Sequence, residues 1–148
     1  MTVAHLPNGG DRVVEPMIEL ARCTPLHRII VAGVKSIELV FELQRRGFMR
    51  TAATANCGRP SRQYDVALVD WRRRTFRDLE KTLAWLRDFL APTGILVVWV
   101  DPQKSAVIEG LRTALMRRGF VVESGTVHED GYAVSARRSE TRPISNAA

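Results

Sequence analysis

The stretch Arg28-Ile-Ile-Val-Ala-Gly-Val-Lys-Ser-Ile-Glu38 decides the fold, because an apolar run passes directly into a helical pattern. Ile29 to Ala32 is short, apolar and rich in β-branched residues, which is typical of a strand buried on both faces. Ser36 to Arg46 then has apolar residues at helical spacing and two arginines in its last turn. A strand leading into a helix is where a glycine-rich ligand loop is expected, yet Gly33 is the single glycine of this stretch. The stretch predicts the start of an α/β fold with a reduced ligand loop.

Strand and helix patterns alternate along the rest of the chain. Two helices end on the same letters, Arg-Arg-Gly-Phe, at Arg45 to Phe48 and at Arg117 to Phe120, so glycine ends both. The predicted strands are Ile29 to Ala32, Phe48 to Ala55, Tyr64 to Asp70, Ile95 to Val100, Phe120 to Thr126 and Tyr132 to Arg137. The first predicted helix runs from Asp11 to Arg22, with its regular part beginning at Pro16, and the second runs from Ser36 to Arg46. The third begins with Thr75-x-x-Asp78 and is stopped by Pro92-Thr-Gly94, and the fourth begins after Asp101-Pro102 and ends at Gly119. The predicted apolar faces of the second, third and fourth helices are, in that order, Ile37, Val40 and Phe41; Phe76, Leu79, Leu83, Leu86 and Leu90; and Val107, Ile108, Leu111 and Leu115.

This order of elements predicts an α/β sandwich in a single domain. The sheet is expected to be mostly parallel, with an antiparallel hairpin at its C-terminal edge, joined by the polar turn Val127 to Gly131. We expect residues 1–10 to be a flexible N-terminus, residues 11–138 to be the folded domain, and residues 139–148 to be a disordered tail.

Composition and charge narrow the class of protein. The chain of 148 residues has a net charge of +6, carried by nineteen arginines and three lysines. These arginines are spread over helix ends and loops, so we expect no dedicated nucleic-acid surface. No apolar run approaches the roughly 20 residues of a membrane span, and Met1 to Asp11 has no pattern of a secretory signal. We therefore expect a cytoplasmic protein without membrane contact, with Cys23 and Cys57 as reduced thiols.

The chain resembles the class I S-adenosylmethionine-dependent methyltransferases, which have a Rossmann-like three-layer sheet. The resemblance covers about residues 11–138 and is strongest in Tyr64-Asp-Val-Ala-Leu-Val-Asp70, Leu90-Ala-Pro-Thr-Gly-Ile-Leu-Val-Val98 and Arg118-Gly-Phe120. It implies a reduced, divergent member of the fold. Because only Asn56 to Gln63 separates two predicted strands, the domain is expected to lack about one helix and one strand of the family.

The resemblance also implies site residues at the carboxyl ends of the strands. Gly33 is the glycine that remains of the family's loop, and Lys35 beside it suits a carboxylate or phosphate. Where the family carries an acidic residue that holds the ribose hydroxyls, the candidates are Thr54 and Asn56, and the amide of Asn56 can hydrogen-bond a ribose. Asp70 lies where a polar or acidic motif faces the methyl-transfer site and is the candidate catalytic residue, while Trp71 is placed to stack on a ring of the ligand. The implied cofactor is S-adenosylmethionine.

Several alternatives stay open at this stage. The degenerate cofactor motifs leave open whether catalysis survives, so the chain is either a small enzyme or a non-catalytic module. One such module is receiver-like, with Asp70 as phosphoacceptor, although Ala32-Gly33 replaces the acidic pair that a magnesium site needs. Another is an interaction scaffold, a homodimer formed through the edge of the shortened sheet or the N-terminal helix. No metal site is expected, because His128 with Glu129 and Asp130 lies in a turn.

Overall fold

A computed structural model describes residues 9–33, 35–53, 62–72, 75–101, 105–129 and 131–139 of the chain. Helices and strands alternate through most of it, and a hairpin follows. The elements in chain order are α1 Gly9–Ala21, β1 Ile29–Gly33, α2 Ser36–Arg45, β2 Thr51–Ala53, β3 Tyr64–Asp70, α3 Phe76–Arg87, β4 Leu90–Val100, α4 Ser105–Arg117, β5 Phe120–His128 and β6 Gly131–Arg138.

One sheet connects all the strands of the described residues, in the order β2-β1-β3-β4-β6-β5. The first four strands in this order pair in parallel, whereas β6 pairs antiparallel to both β4 and β5. The predicted α/β sheet with a C-terminal antiparallel hairpin is therefore confirmed. The short spacing between the end of β2 at Ala53 and the start of β3 at Tyr64 agrees with a shortened fold.

Helices cover the sheet on both faces, because each strand carries apolar side chains on both sides. On the α1/α2 face, Val66, Leu68 and Trp99 are buried against α1 and α2. On the α3/α4 face, Val69 and Leu96 are buried with the apolar sides of α3 and α4. Side chains that alternate along β3 and β4 therefore fill two separate apolar cores, and the molecule has three layers.

The first helix begins earlier than the sequence predicts. It starts at Gly9, so Pro16 lies inside the helix and does not open its regular part. Proline lacks the N–H group for the hydrogen bond to the preceding turn, which usually disfavours this position. Burial of Val13, Val14 and Met17 on both sides of the proline outweighs that preference, because tertiary packing supplies most of a helix's stability in proteins.

The second helix is present where predicted, but its buried face is different. Leu39, Val40 and Leu43 are buried, while Ile37 and Phe41 are 45% and 65% exposed. The predicted face was therefore wrong for Ile37 and Phe41, because two apolar stripes run along this helix and the sheet covers only one of them. The other stripe, which includes Ile37 and Phe41, stays exposed.

The third helix confirms its predicted start and corrects its end. The hydroxyl of Thr75 accepts a hydrogen bond from the backbone N–H of Asp78 at 3.3 Å, which is the predicted N-cap. The helix ends at Arg87, and Leu90 already belongs to β4. Pro92 and Gly94 also lie inside β4, where the pairing with β3 jumps from Leu90 to Ile95. The turn-forming residues therefore mark an irregularity at the start of the strand and not a helix stop.

The lengths of the outer strands also differ from the prediction. The second strand has three residues, Thr51–Ala53, because Gly47 to Arg50 form the turn that leads out of α2. The final hairpin is longer than predicted and includes Val127 and His128 in β5. Residues 1–8, 54–61 and 140–148 lie outside the described part, and with them Asn56, Cys57 and nearly all of the predicted tail. None of the described helices is long and apolar enough to span a membrane.

Candidate ligand site at the carboxyl edge of the sheet

The sheet reverses its strand order between β1 and β3. The connection from β1 runs through α2 on one face to β2, whereas β3 lies on the other side of β1 and continues into α3 on the opposite face. The two chain segments therefore diverge above the carboxyl ends of neighbouring parallel strands. Open α/β sheets bind ligands in the crevice that this divergence leaves. We call this end of the sheet, where β1, β3 and β4 end at Gly33, Asp70 and Val100, the carboxyl edge.

Gly33 closes β1 directly beside the end of β3. It pairs with Asp70 in the sheet and has a φ of +105°, which side chains rarely adopt. A Cβ atom built on Gly33 would lie 2.1 Å from the carbonyl oxygen of Asp70. The resemblance implies that this glycine serves the ligand loop. The structure adds that glycine is required here for the close approach of two strand ends.

Lys35 lies at the start of α2, beyond Gly33. Its backbone is in the left-handed region, with φ 58° and ψ 34°, and its carbonyl oxygen accepts the first helical hydrogen bond from Leu39 at 3.0 Å. The side chain is exposed and makes no capping hydrogen bond. Its positive charge acts on the carboxyl group of Asp70 and lowers the pKa of that group. The structure therefore brings Gly33, Lys35 and Asp70 together at the carboxyl edge.

Asp70 carries a buried carboxylate that Arg72 holds at both oxygens. The Arg72 guanidinium donates from Nε to Oδ1 at 2.7 Å and from Nη2 to Oδ2 at 2.6 Å. The Asp70 side chain is 5% exposed and that of Arg72 is 27% exposed. This two-point geometry is the strong form of a charged hydrogen bond. A carboxylate has about four acceptor positions, so each oxygen of Asp70 keeps capacity for a further donor.

The protonation of Asp70 reflects competing influences. Burial raises the pKa of its carboxyl group, and the negative charge of Asp101 at the end of β4 raises it further. The hydrogen bonds and charge of Arg72 lower the pKa but do not cancel the effect of burial, so it stays above its ordinary value. In return, Asp70 raises the pKa of Arg72. The carboxyl edge thus gathers two acidic and two basic side chains, Asp70, Asp101, Lys35 and Arg72.

Trp71 lies on the other side of the strand. It is 3% exposed in the α3/α4 core, and its indole N–H donates to the carbonyl oxygen of Thr75 at 3.0 Å. Side chains alternate along a strand, so Asp70 and Trp71 point to opposite faces of the sheet. The stacking role of Trp71 stays a prediction, as does the ribose contact of Asn56, which lies outside the described residues.

Sequence reasoning missed two residues of this edge. Arg72 is not among the candidate residues of the sequence analysis, although it contacts both carboxylate oxygens of Asp70; the spacing Asp-x-Arg was the available signal. Trp99, which pairs with Asp70 across β3 and β4, has a buried indole N–H without an acceptor in the described structure. Its ring lies beside that of His128, with centroids 5.4 Å apart. The described residues contain no group of three metal-ligating side chains.

Comparison with known proteins relates the fold of this chain to solved structures, among them several methyltransferases. No protein-family model and no curated protein matches the chain. Solved structures do match it: ribosomal protein L11 methylase from Lactobacillus delbrueckii subsp. bulgaricus has a TM-score of 0.65 and 14% identity, over 90% of this chain and 82% of that one. The 1,6-didemethyltoxoflavin-N1-methyltransferase of Burkholderia thailandensis, solved with S-adenosylhomocysteine, has a TM-score of 0.59 and 12% identity, over 90% and 80%.

A third match is the geranyl diphosphate C-methyltransferase of Streptomyces coelicolor A3(2), solved with S-adenosylhomocysteine, with a TM-score of 0.55 and 9% identity over 84% of this chain and 79% of that one. Identities this low show a shared fold and carry no residue roles. The chain has a divergent, shortened form of the Rossmann-like methyltransferase fold.

Proposed function

We propose that this protein is a methyltransferase-like domain that binds S-adenosylmethionine at the carboxyl edge of its sheet. The observation that carries the proposal is the position of Gly33 and Asp70, which are paired at the point where the strand order reverses. Two of the structurally similar enzymes were solved with S-adenosylhomocysteine. Fold similarity alone does not assign an activity, so the proposal depends on whether the residues at this edge suit the cofactor.

The charges at the edge suit the amino-acid end of the cofactor, which carries one ammonium and one carboxylate group. Lys35 at the start of α2 is placed to hold the carboxylate, because both its ammonium and the helix N-terminus favour negative charge. Asp70 is placed to hold the ammonium, since its oxygens keep acceptor capacity beside Arg72. The buried indole N–H of Trp99, which has no acceptor among the described residues, offers a further donor. For the ribose we retain Asn56, and for the ring Trp71, as candidates.

When bound, S-adenosylmethionine supplies an electrophilic methyl group on a sulfonium. A protein that uses it must hold the acceptor in line and remove the acceptor's proton. Asp70 is our candidate for this base: one of its oxygens would hold the cofactor's ammonium and the other would take the proton, and burial raises the pKa of the carboxyl group toward the range in which it accepts a proton efficiently. Binding of the cofactor and catalysis are separate steps, so the domain can keep the first without the second.

Isothermal titration with S-adenosylmethionine and S-adenosylhomocysteine tests the proposal. We expect Lys35→Gln and Asp70→Asn to weaken binding by about tenfold or more each, the effect of losing a charged hydrogen bond. Lys81→Gln is the matched control, since Lys81 is an exposed lysine in the second turn of α3. The proposal fails if the wild-type protein gives neither heat nor a thermal shift with millimolar ligand. Equal weakening by the control would remove the assignment of the site.

A homodimer is a second proposal, favoured by the exposed face of α2. Ile37 and Phe41 lie one turn apart and are exposed, next to the edge strand β2. The exposed Glu38 lies in the first turn of α2 and Arg45 in its last. Two α2 helices packed antiparallel about a two-fold axis would place the Glu38 end of one beside the Arg45 end of the other, with the apolar pair between them.

Light scattering during gel filtration tests this dimer. We expect the wild-type protein to be dimeric and Phe41→Ser to be monomeric. Met116→Ser is the matched control, because Met116 is an exposed apolar residue on α4, far from α2 in the sheet order, and is 68% exposed against 65% for Phe41. A wild-type protein that stays monomeric at high concentration contradicts the dimer without bearing on cofactor binding.

A further inference from the structure

The amino edge of the sheet, where β1, β3 and β4 begin at Ile29, Tyr64 and Leu90, is rich in arginine. Three features of the topology produce this. Each helix that returns from one strand to the next ends here, and arginine is the basic residue in the last turn of α2, α3 and α4. Arg28, Arg50 and Arg62 lie just before β1, β2 and β3. The antiparallel strand β6 ends at this edge with two further arginines. The residues are Arg28, Arg45, Arg46, Arg50, Arg62, Arg87, Arg117, Arg118, Arg137 and Arg138.

Most of these arginines have an acidic or polar partner. Glu42 pairs with Arg45 and Arg46, Glu80 with Arg117 and Arg118, and Glu123 with Arg137. Arg62, Arg87 and Arg138 differ from these, because they make no ion pair in the described part of the chain. We call these three residues the arginine cluster.

Main-chain contacts draw the three segments of the cluster together. The N–H of Arg62 donates to the carbonyl oxygen of Asp88, the neighbour of Arg87, at 3.2 Å. Arg138 donates from Nη1 to the carbonyl oxygen of Leu90 at 2.8 Å, in the first residue of β4. The Arg87 guanidinium lies against Gly119, since a Cβ there would be 2.5 Å from its Nε. Each contact belongs to the junction of α3 and β4 or to the neighbouring strand ends.

The cluster leaves positive charge uncompensated at a partly buried place. The Nε of Arg87 is buried and has no hydrogen-bond acceptor in the described structure, and an unsatisfied buried donor is costly. Burial lowers the pKa of Arg138, and the charges of Arg87 and Arg62 lower it further. Among the described residues, the charge of Asp88 acts in the opposite direction and raises this pKa. An anion bound between the three guanidinium groups would relieve both the repulsion and the unpaired donor.

We propose that Arg62, Arg87 and Arg138 form a binding site for a phosphate group, at the opposite end of the sheet from the cofactor site. Arginine suits phosphate because its planar fork donates two parallel hydrogen bonds. The phosphate can belong to an RNA backbone or be free in solution, and both present the same oxygens to the cluster. The longer anion gains affinity with each phosphate that an arginine of this edge neutralises, although Glu42, Glu80 and Glu123 already pair with five of the surrounding arginines.

Fluorescence anisotropy with a labelled single-stranded RNA of roughly 20 nucleotides, with salt varied from about 50 to 200 mM, tests the backbone source. A thermal shift with inorganic phosphate tests the free anion. The variant is Arg62→Gln combined with Arg138→Gln, which spares the half-buried Arg87. We expect the slope of log affinity against log salt to become shallower by about 0.7 for each phosphate that the variant no longer neutralises.

The matched control is Arg77→Gln combined with Lys81→Gln, which removes two exposed charges from α3 away from the amino edge. RNA binding that the cluster variant weakens and the control does not supports the site with a backbone phosphate. A shift with inorganic phosphate that only the cluster variant abolishes supports it with the free anion. Absence of both, or equal effects of the two variants, overturns the proposal. No arm contains S-adenosylmethionine, so the outcome is independent of the cofactor proposal.

Discussion

Replacing Gly33 by alanine tests the packing at the carboxyl edge of the sheet. The added Cβ would lie 2.1 Å from the carbonyl oxygen of Asp70, 2.9 Å from its carbonyl carbon and 3.0 Å from its nitrogen. All three atoms are backbone, so no side-chain rotation can make room. The ends of β1 and β3 must move apart by more than about 1 Å to restore an ordinary contact, because non-bonded carbon contacts are about 3.5–4.0 Å.

The loss of free energy of unfolding in Gly33→Ala has two parts, and the same substitution at a second glycine separates them. A positive φ costs a residue with a side chain about 1–2 kcal/mol, and forced repacking adds about 1–3 kcal/mol. Gly33→Ala should therefore lose about 2–5 kcal/mol. Gly47 has a similar φ of +100°, but a Cβ there meets nothing within 4 Å. Gly47→Ala should lose only the conformational part, about 1–2 kcal/mol.

Urea unfolding followed by circular dichroism measures both variants against the wild type. Since domains typically have a free energy of unfolding of about 5–15 kcal/mol, both proteins should still fold and give complete curves. The expected result is a larger loss for Gly33→Ala by about 1–3 kcal/mol, with unchanged slopes. Equal losses for the two variants would refute the close contact between Gly33 and Asp70. They would leave only backbone conformation as the reason for glycine.

Three further predictions concern a thiol, a carboxyl group and a helix cap. Burial raises the pKa of Cys23 to about 12. In the Cys57→Ser variant, iodoacetamide at pH 8 should therefore modify Cys23 about 10³-fold more slowly in the folded protein than in the protein unfolded by urea. Equal rates in the two states contradict this. The raised pKa of Asp70 means that its stabilising effect is present below the ordinary value of 3.8 and is lost as pH rises through the folded value. As the pH rises through this range, the free energy of unfolding of the wild type should therefore fall relative to that of Asp70→Asn. A difference between the two proteins that does not change with pH would contradict this. Thr75→Ala should lose about 1 kcal/mol in urea unfolding with its cap, whereas the control Thr113→Ala, inside α4, should lose nothing.

The parts of the fold that the sequence predicts correctly are those where local pattern and packing agree. The strand Tyr64 to Asp70 is found at its predicted bounds, because a continuous apolar run is buried on both faces in a parallel sheet. The start of α3 at Thr75 is also correct, since a capping hydroxyl is a local interaction.

The errors occur where one residue type suits two structures. Pro92 and Gly94 interrupt a helix and also permit an irregular strand, and only the partner strand β3 decides between them. Proline usually ends or kinks a helix. Pro16 nevertheless lies inside α1, because residues on both sides of it are buried. Phe41 has helical spacing with Ile37, yet spacing cannot say which of two apolar stripes faces the sheet.

The arginines show why charge is hard to interpret along a sequence. At positions as far apart as Arg62, Arg87 and Arg138 they form no run, and each taken alone looks like a solvated side chain at a helix end or loop. A sheet with returning helices brings every helix C-terminus and the end of β6 to one edge, so arginines placed at such ends converge there. Helix dipoles favour basic residues in each last turn, which explains those paired with Glu42 and Glu80. They do not explain a buried guanidinium donor without an acceptor among the described residues, and an anion bound at this edge would satisfy that donor.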